Sequence, residues 1–245
     1  MAVIAIYSVK GGVGKTTLAA NLAWCSAMQS YRSTVLWDLD AANGAGYLLG
    51  IEPDPRLRAE AMFGIAPDPE KHLVKSAYPN LTVLPADESL RSIEALLSRP
   101  GRRKHVGRIT NALSRKYERI ILDCPPAVNE QSRQILQASD IVIVPLPPSP
   151  LSTRAFQRVA KEIKASGHRH PPILPVLSMI DMRRTLHREA REAAPDWPVI
   201  PLASAMEQCA VRQKPVGDFA TSCSAAKGIG KLWAAIEAKT ATFEA

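Results

Sequence analysis

The sequence predicts an α/β fold: a single-domain, mostly parallel twisted sheet with helices on both faces. Three observations predict it. Short apolar, β-branched runs alternate with helix-patterned stretches over the full length, with no internal repeat. The first run passes into a glycine-rich turn ending in Gly-Lys-Thr and then into a helical segment. Proline pairs at 125–126, 147–148 and 171–172 punctuate the ends of elements, where a missing N–H costs least.

Strand-like runs lie at 2–8, 34–38 (TVLWD), 81–86, 119–123 (RIILD), 140–146, 172–178 and 198–200. "TTLAANLAWCSAM" changes to helical spacing, with Leu18, Leu22 and Cys25 on one face. The basic stretch "RPGRRKH" at 99–105 reads as a surface loop opening a helix rather than a domain boundary. Residues 1–245 therefore read as one domain built on one parallel sheet.

The turn after the first strand carries the most chemistry. Gly11, Gly12 and Gly14 let the backbone curl so that successive N–H groups converge on an anion, with Val13 between them. The following helix adds the partial positive charge of its N-terminus. Lys15 is spaced to reach the β- and γ-phosphates of a nucleotide, and the Thr16 hydroxyl to ligate Mg²⁺, with Thr17 completing the loop. One feature departs from an ordinary P-loop, which reads G-x-x-x-x-G-K-[ST]. Val9 stands where the first glycine belongs, and a second lysine, Lys10, follows it.

"KGGVGKTT" resembles the deviant Walker A motif of the ParA/MinD superfamily of dimeric ATPases, and all of its positions match. The resemblance implies a P-loop NTPase fold and a Mg²⁺-dependent ATPase that is weak without a partner. It also implies a role for Lys10: reaching across a homodimer, formed on ATP binding, to the nucleotide of the other subunit. The bland alternative is a solvated loop lysine.

Two further segments carry the resemblance. "VLWDLDAANGAG" corresponds to a segment that usually reads D-x-D-P-Q-G, whose second aspartate, here Asp40, prepares the attacking water. Asp38 precedes it at the end of a strand beside the P-loop, and is assigned with Thr16 and Asp123 to the metal. Ala41 and Ala42 replace the family's Pro-Gln, and ordinary loop carboxylates are the competing reading. "YERIILDCPP" is a Walker B strand whose Asp123 holds the Mg²⁺ shell. Cys124 reads as a buried structural thiol, since a cluster needs further thiolates and Pro125-Pro126 follows instead.

Farther on, "VIVPLPPSPLSTRAF" and "IPLASAMEQCAVRQKPV" resemble segments of small ParA-type partition ATPases of the ParF-like kind, without an N-terminal helix-turn-helix. Ile200, Pro201, Lys214 and Pro215 coincide, while two family arginines are Leu202 and Ala205 here. The resemblance implies that adenine lies against Pro201 and the stretch Ser178 to Met182, so Met182 and Pro201 join the ATP-binding set.

Composition narrows the partners. Lys and Arg number 31 against 23 acidic residues, a net charge of +8, which favours an anionic partner. On a helix starting near Arg183, steps of about 100° put Arg184, His187, Arg188 and Arg191 in one stripe, opposite Leu186, Ala190 and Ala193. In the last helix Ile229, Leu232, Trp233 and Ile236 form the buried stripe, with Lys227 and Lys231 facing away. Arg184, Arg188, Lys227 and Lys231 are thus candidates for sequence-independent DNA contacts, the alternative being solvated helix surface. Arg102, Arg103, Lys104 and Arg108 form a further basic cluster that reads as bland surface.

The four cysteines form no C-x-x-C pair, and no apolar run approaches the length of a membrane span. A cytoplasmic, nucleoid-associated protein without stable membrane association is expected. The resemblance implies a switch that binds non-specific DNA and hydrolyses ATP to partition plasmid or chromosome DNA. A ParB-like or ParG-like adaptor would stimulate hydrolysis. Alternatives are positioning of a protein cargo, such as a chemoreceptor cluster or carboxysome, or a MinD-like membrane-surface role. The last needs a terminal basic amphipathic helix, yet the chain ends "EAKTATFEA", with Phe243 its one bulky apolar residue.

Overall fold

The computed structural model describes residues 1–64, 68–101, 104–165 and 170–244. Its framework alternates strand and helix: β1 (Ala2–Ile6), α1 (Lys15–Met28), β2 (Thr34–Asp38), α2 (Gly44–Tyr47), β3 (Val74–Lys75), β4 (Leu81–Leu84), α3 (Ile93–Leu97) and α4 (His105–Leu113). Then follow β5 (Arg119–Asp123), α5 (Glu130–Ala138), β6 (Ile141–Leu146), α6 (Pro150–Ala165), β7 (Ile173–Ile180), α7 (Thr185–Ala193), β8 (Val199–Pro201), α8 (Ser204–Arg212), α9 (Val216–Phe219) and α10 (Ser224–Glu244).

The strands form one sheet in the order β3-β4-β2-β5-β1-β6-β7-β8. All neighbours run parallel except β3, which pairs antiparallel with β4. The seven expected strands are present, β2 and β5 with the expected bounds and the other five with shifted ends. The first stops at Ile6, where the chain leaves the sheet for the glycine loop, and β7 extends to Ile180. The two-residue β3 was not expected, because "VK" is too short to carry a periodic signal.

Side-chain alternation along the strands fills two cores. Val3, Ala5, Val35, Trp37, Ile120, Leu122, Val142 and Val144 face α3, α4, α5 and α6. Ile4, Ile6, Leu36, Ile121, Ile141 and Ile143 face α1, α8, α9 and α10. Burial on both faces explains why these strands read as unbroken apolar runs. Helix α1 lies between the sheet and α10, so it buries Ala19, Ala20, Ala23 and Ala27 along with the expected Leu18, Leu22 and Cys25. Because the central strands are parallel, the loops leaving β1, β2 and β5 open on one edge of the sheet, where ligands of such folds bind.

Candidate nucleotide site

The loop between β1 and α1 has the backbone that its glycines predict. Gly12 and Gly14 sit at φ +69° and +88°, in the left-handed region that favours glycine. Gly14 is the N-cap of α1, and no side chain caps that helix, so its first-turn N–H groups are open to an anion. Lys15 is buried, and its Nζ donates to the Lys10 carbonyl oxygen at 3.4 Å. Burial lowers its pKa, opposed chiefly by the charge of Asp123. A cation held in this way is costly until an anion arrives.

The carboxylates form the facing wall. Asp38 and Asp123 stand opposite each other in register on β2 and β5, both fully buried. Neither oxygen of Asp123 has a hydrogen-bond partner among the described residues. Burial raises its pKa well above the usual carboxylate range, and the charge of Asp38 adds to this. The nearby Thr16 hydroxyl and Lys15 ammonium pull the other way. Two orphaned hard oxygens beside a threonine hydroxyl fit Mg²⁺. Asp38 is occupied differently. Its Oδ1 accepts from Asp40 N–H at 3.0 Å and its Oδ2 from Ala45 N–H at 2.8 Å, so it shapes the loop after β2. The sequence assigned Asp38 to the metal together with Asp123, but only Asp123 has both oxygens unclaimed.

Asp40 is half-buried at the mouth of the loop, and its Oδ1 accepts from Ala42 N–H at 3.1 Å. That local turn forms without the Pro-Gln pair. The Lys10 side chain is engaged by a different segment. Its Nζ donates to Ser149 Oγ and Ser152 Oγ, each at 3.3 Å, at the start of α6.

Beside the loop lies a cavity of about 280 Å³, lined by Val13, Gly14, Thr17, Met179, Pro201 and Met206 among others. It opens next to the phosphate cradle and is mostly apolar, as a nucleobase site requires. Pro201 is one of the lining residues. Met182 does not line it; it is about half exposed. Of the expected stretch Ser178 to Met182, Ser178 and Met179 line it, and Met179 has a positive φ of 56°.

Comparison with known proteins agrees with this geometry. A family model described as an AAA domain matches residues 1–174. The chromosome partitioning protein ParA of Caulobacter vibrioides is 32% identical over 198 residues, covering 76% of this chain and 73% of that protein. The chain belongs to the ParA/MinD superfamily and is an ATPase of the ParA type.

Two solved structures place this ParA-type chain in the same fold. The cell division ATPase MinD of Pyrococcus furiosus is 25% identical, with a TM-score of 0.79 over 96% of this chain and 98% of that one. Cobyrinic acid a,c-diamide synthase of Mycobacterium smegmatis, solved with an ATP analogue and magnesium, is 26% identical. Its TM-score is 0.72, over 91% of this chain and 93% of that one. ATP and Mg²⁺ are also the ligands that fit the cradle and carboxylates described here.

The basic faces of this ParA-type ATPase agree with the sequence in part. Arg184 and Arg188 are exposed at the start of α7, and Lys227 and Lys231 on the outer side of α10. His187 leaves the predicted stripe: it is buried, and its Nδ1 accepts from Asp181 N–H at 3.1 Å. Leu186, expected on the inner side, is about half exposed. Helix α7 thus packs on a face rotated from the one its charges imply, because the loop 181–184 needs an acceptor more than His187 needs solvent. Arg191, Lys227 and Lys231 line one groove of about 520 Å³ between α7 and α10, together with the carboxylate of Asp196. Of the further basic cluster, Lys104 and Arg108 are exposed, and Arg102 and Arg103 lie outside the described residues. Sequence reasoning did not single out Ser149 or Ser152. The serines left a signal in "PSPLS", a serine-rich helix start near the P-loop edge of the sheet.

Proposed function

We propose that the chain works as one ATPase domain and as a nucleotide-gated switch. Two copies dimerise on ATP, the dimer binds DNA without reading sequence, and hydrolysis releases it. The observation that carries this reading is the different disposition of the two lysines. Lys15 is buried toward Asp123, whereas the Lys10 ammonium is engaged by the hydroxyls of Ser149 and Ser152. A cation engaged in this way is available to a neighbouring nucleotide.

In the switch, the loop N–H groups and Lys15 hold the phosphates, Asp123 and Thr16 hold the metal, and Asp40 orients the attacking water. Bound Mg²⁺ supplies neutralisation of the charge on the β- and γ-phosphates. The cavity lined by Met179 and Pro201 takes the adenine. The convergence of Arg191, Lys227 and Lys231 on one groove supports a phosphate-binding surface, to which Arg184 and Arg188 add. The similarity to a chromosome partitioning protein supports DNA as cargo, with a ParB-like or ParG-like adaptor stimulating hydrolysis and the nucleoid as the working location.

Sedimentation tests the switch. Charge-assisted hydrogen bonds contribute about 1.5–3 kcal/mol each, so Lys10→Ala weakens the ATP-dependent dimer about ten- to a hundred-fold. A Lys10→Ala protein that dimerises normally in MgATP removes Lys10 from the interface.

A further inference from the structure

The peptide unit joining Leu39 to Asp40 is held on both sides. Its N–H, that of Asp40, donates to Asp38 Oδ1 at 3.0 Å. Its carbonyl, that of Leu39, accepts from Gln131 Nε2 at 2.9 Å. Gln131 lies in the first turn of α5 and is only 4% exposed. The Leu39 N–H in turn donates to the Asp123 carbonyl at 3.0 Å. The residue before Asp40 is therefore tied through its N–H to β5 at Asp123 and through its carbonyl to α5, while Asp40 itself is held locally by Asp38 and Asn43.

We infer that Gln131 is a positioning residue for ATP hydrolysis, setting the orientation of Asp40 by holding the Leu39 carbonyl. This rests on the proposed role of Asp40. Gln131 is buried and its amide is engaged by the Leu39 carbonyl, so the route from it to the reacting groups runs through Asp40. A buried amide in a helix's first turn has a simpler alternative use, which is to stabilise packing. Two points favour positioning. The carbonyl it satisfies is 92 residues away and borders the proposed catalytic residue. In addition, the helix start that carries it has its own cap: Asn129 and Ser132 form a reciprocal capping box, and Glu94 accepts from the N–H groups of Glu130 and Gln131. The Gln131 side chain is not needed to finish the helix. Its bond also joins α5 to the loop after β2, so displacement of the α5 start is passed directly to Asp40.

Steady-state turnover of MgATP by the full chain tests this, with melting temperature as the companion measurement. Gln131→Leu and Gln131→Met keep the volume and remove the donor. Gln134→Leu is the control: Gln134 is equally buried on the same helix, but it accepts from the N–H groups of His105 and Val106 at the start of α4. The expected result is a KM for ATP within about twofold of the parent and a kcat reduced about 10- to 100-fold in both Gln131 variants, the range for a small misplacement of a reacting group. Gln134→Leu should lower the melting temperature and leave kcat unchanged. Parent-like kcat in the Gln131 variants, with Asp40→Ala inactive, overturns the inference and spares the role of Asp40. An equal kcat loss in Gln134→Leu overturns it as well, since any packing defect would then suffice. Normal turnover by Asp40→Ala removes the role of Asp40 and the inference with it.

Discussion

Replacing Arg184, Arg188 and Lys231 together with alanine probes the link between nucleotide state and DNA affinity. On the two basic helices each subunit exposes the candidate cations Arg184, Arg188, Lys227 and Lys231. Arg191 adds less, because one of its guanidinium nitrogens already donates to the carbonyls of Ala194 and Trp197. If all four meet phosphates, an ATP-bound dimer neutralises about eight. At about −0.9 per phosphate, the slope of log K against log salt is then about −7 for the dimer and about −3.6 for a monomer. The triple variant leaves two cations per dimer and a slope of about −2. Retention on random-sequence duplex across a salt series, in ATP and in ADP, measures all three slopes. Arg188 also donates to the Met182 and Arg183 carbonyls and to Thr185. For this reason each protein's melting temperature must be recorded beside its slope. Equal binding in ATP and ADP, or a triple variant with the full slope, would refute the reasoning and leave these residues as solvated helix surface.

Three other outcomes follow from the cradle. Asp40→Ala should bind ATP and dimerise, since the phosphates are held by the loop and Lys15, but hydrolyse it far more slowly and stay on DNA. Lys15→Ala should lose nucleotide binding itself, and fluorescence titration with a labelled nucleotide separates the two. Asp123→Asn should raise the melting temperature of the ligand-free protein, at about 2–4 °C for each kcal/mol recovered, and abolish the extra stabilisation by Mg²⁺ with nucleotide. The sign follows from the raised pKa of Asp123. Its cost is absent below pH ~4, where both states are protonated, and grows as pH rises from there toward the folded pKa. Melting curves from pH 4 upward should show the gap between parent and variant widening; a constant gap would contradict it.

Local signals determined most of the fold. Each central strand is buried on both faces, so its apolar run is visible without knowing its neighbours, and β2 and β5 fall where TVLWD and RIILD place them. The glycine loop was equally legible, because its φ values, its lysine and its threonine are adjacent in the chain. The antiparallel β3 was not, since a two-residue edge strand exists only because β4 offers it a partner. Periodicity likewise set the four candidate cations on their helices. It could not foresee that His187 would turn inward to accept from Asp181, because that bond depends on where the end of β7 leaves an unpaired N–H.

Residue types alone named Asp38, Asp40 and Asp123, and only packing separated their roles. Asp38 is consumed by two backbone N–H groups, Asp123 is orphaned, and the residue before Asp40 is tied to a glutamine that the sequence did not single out. Within the stretch Ser178 to Met182, packing put Ser178 and Met179 on the cavity wall and left Met182 off it. The sequence by itself therefore determined the chemistry present at this edge of the sheet, since residue type and short spacing are carried along the chain. Which group is free to act was decided by the tertiary structure. Hydrogen-bond satisfaction and burial are settled between segments far apart in sequence, and they are only defined once those segments meet.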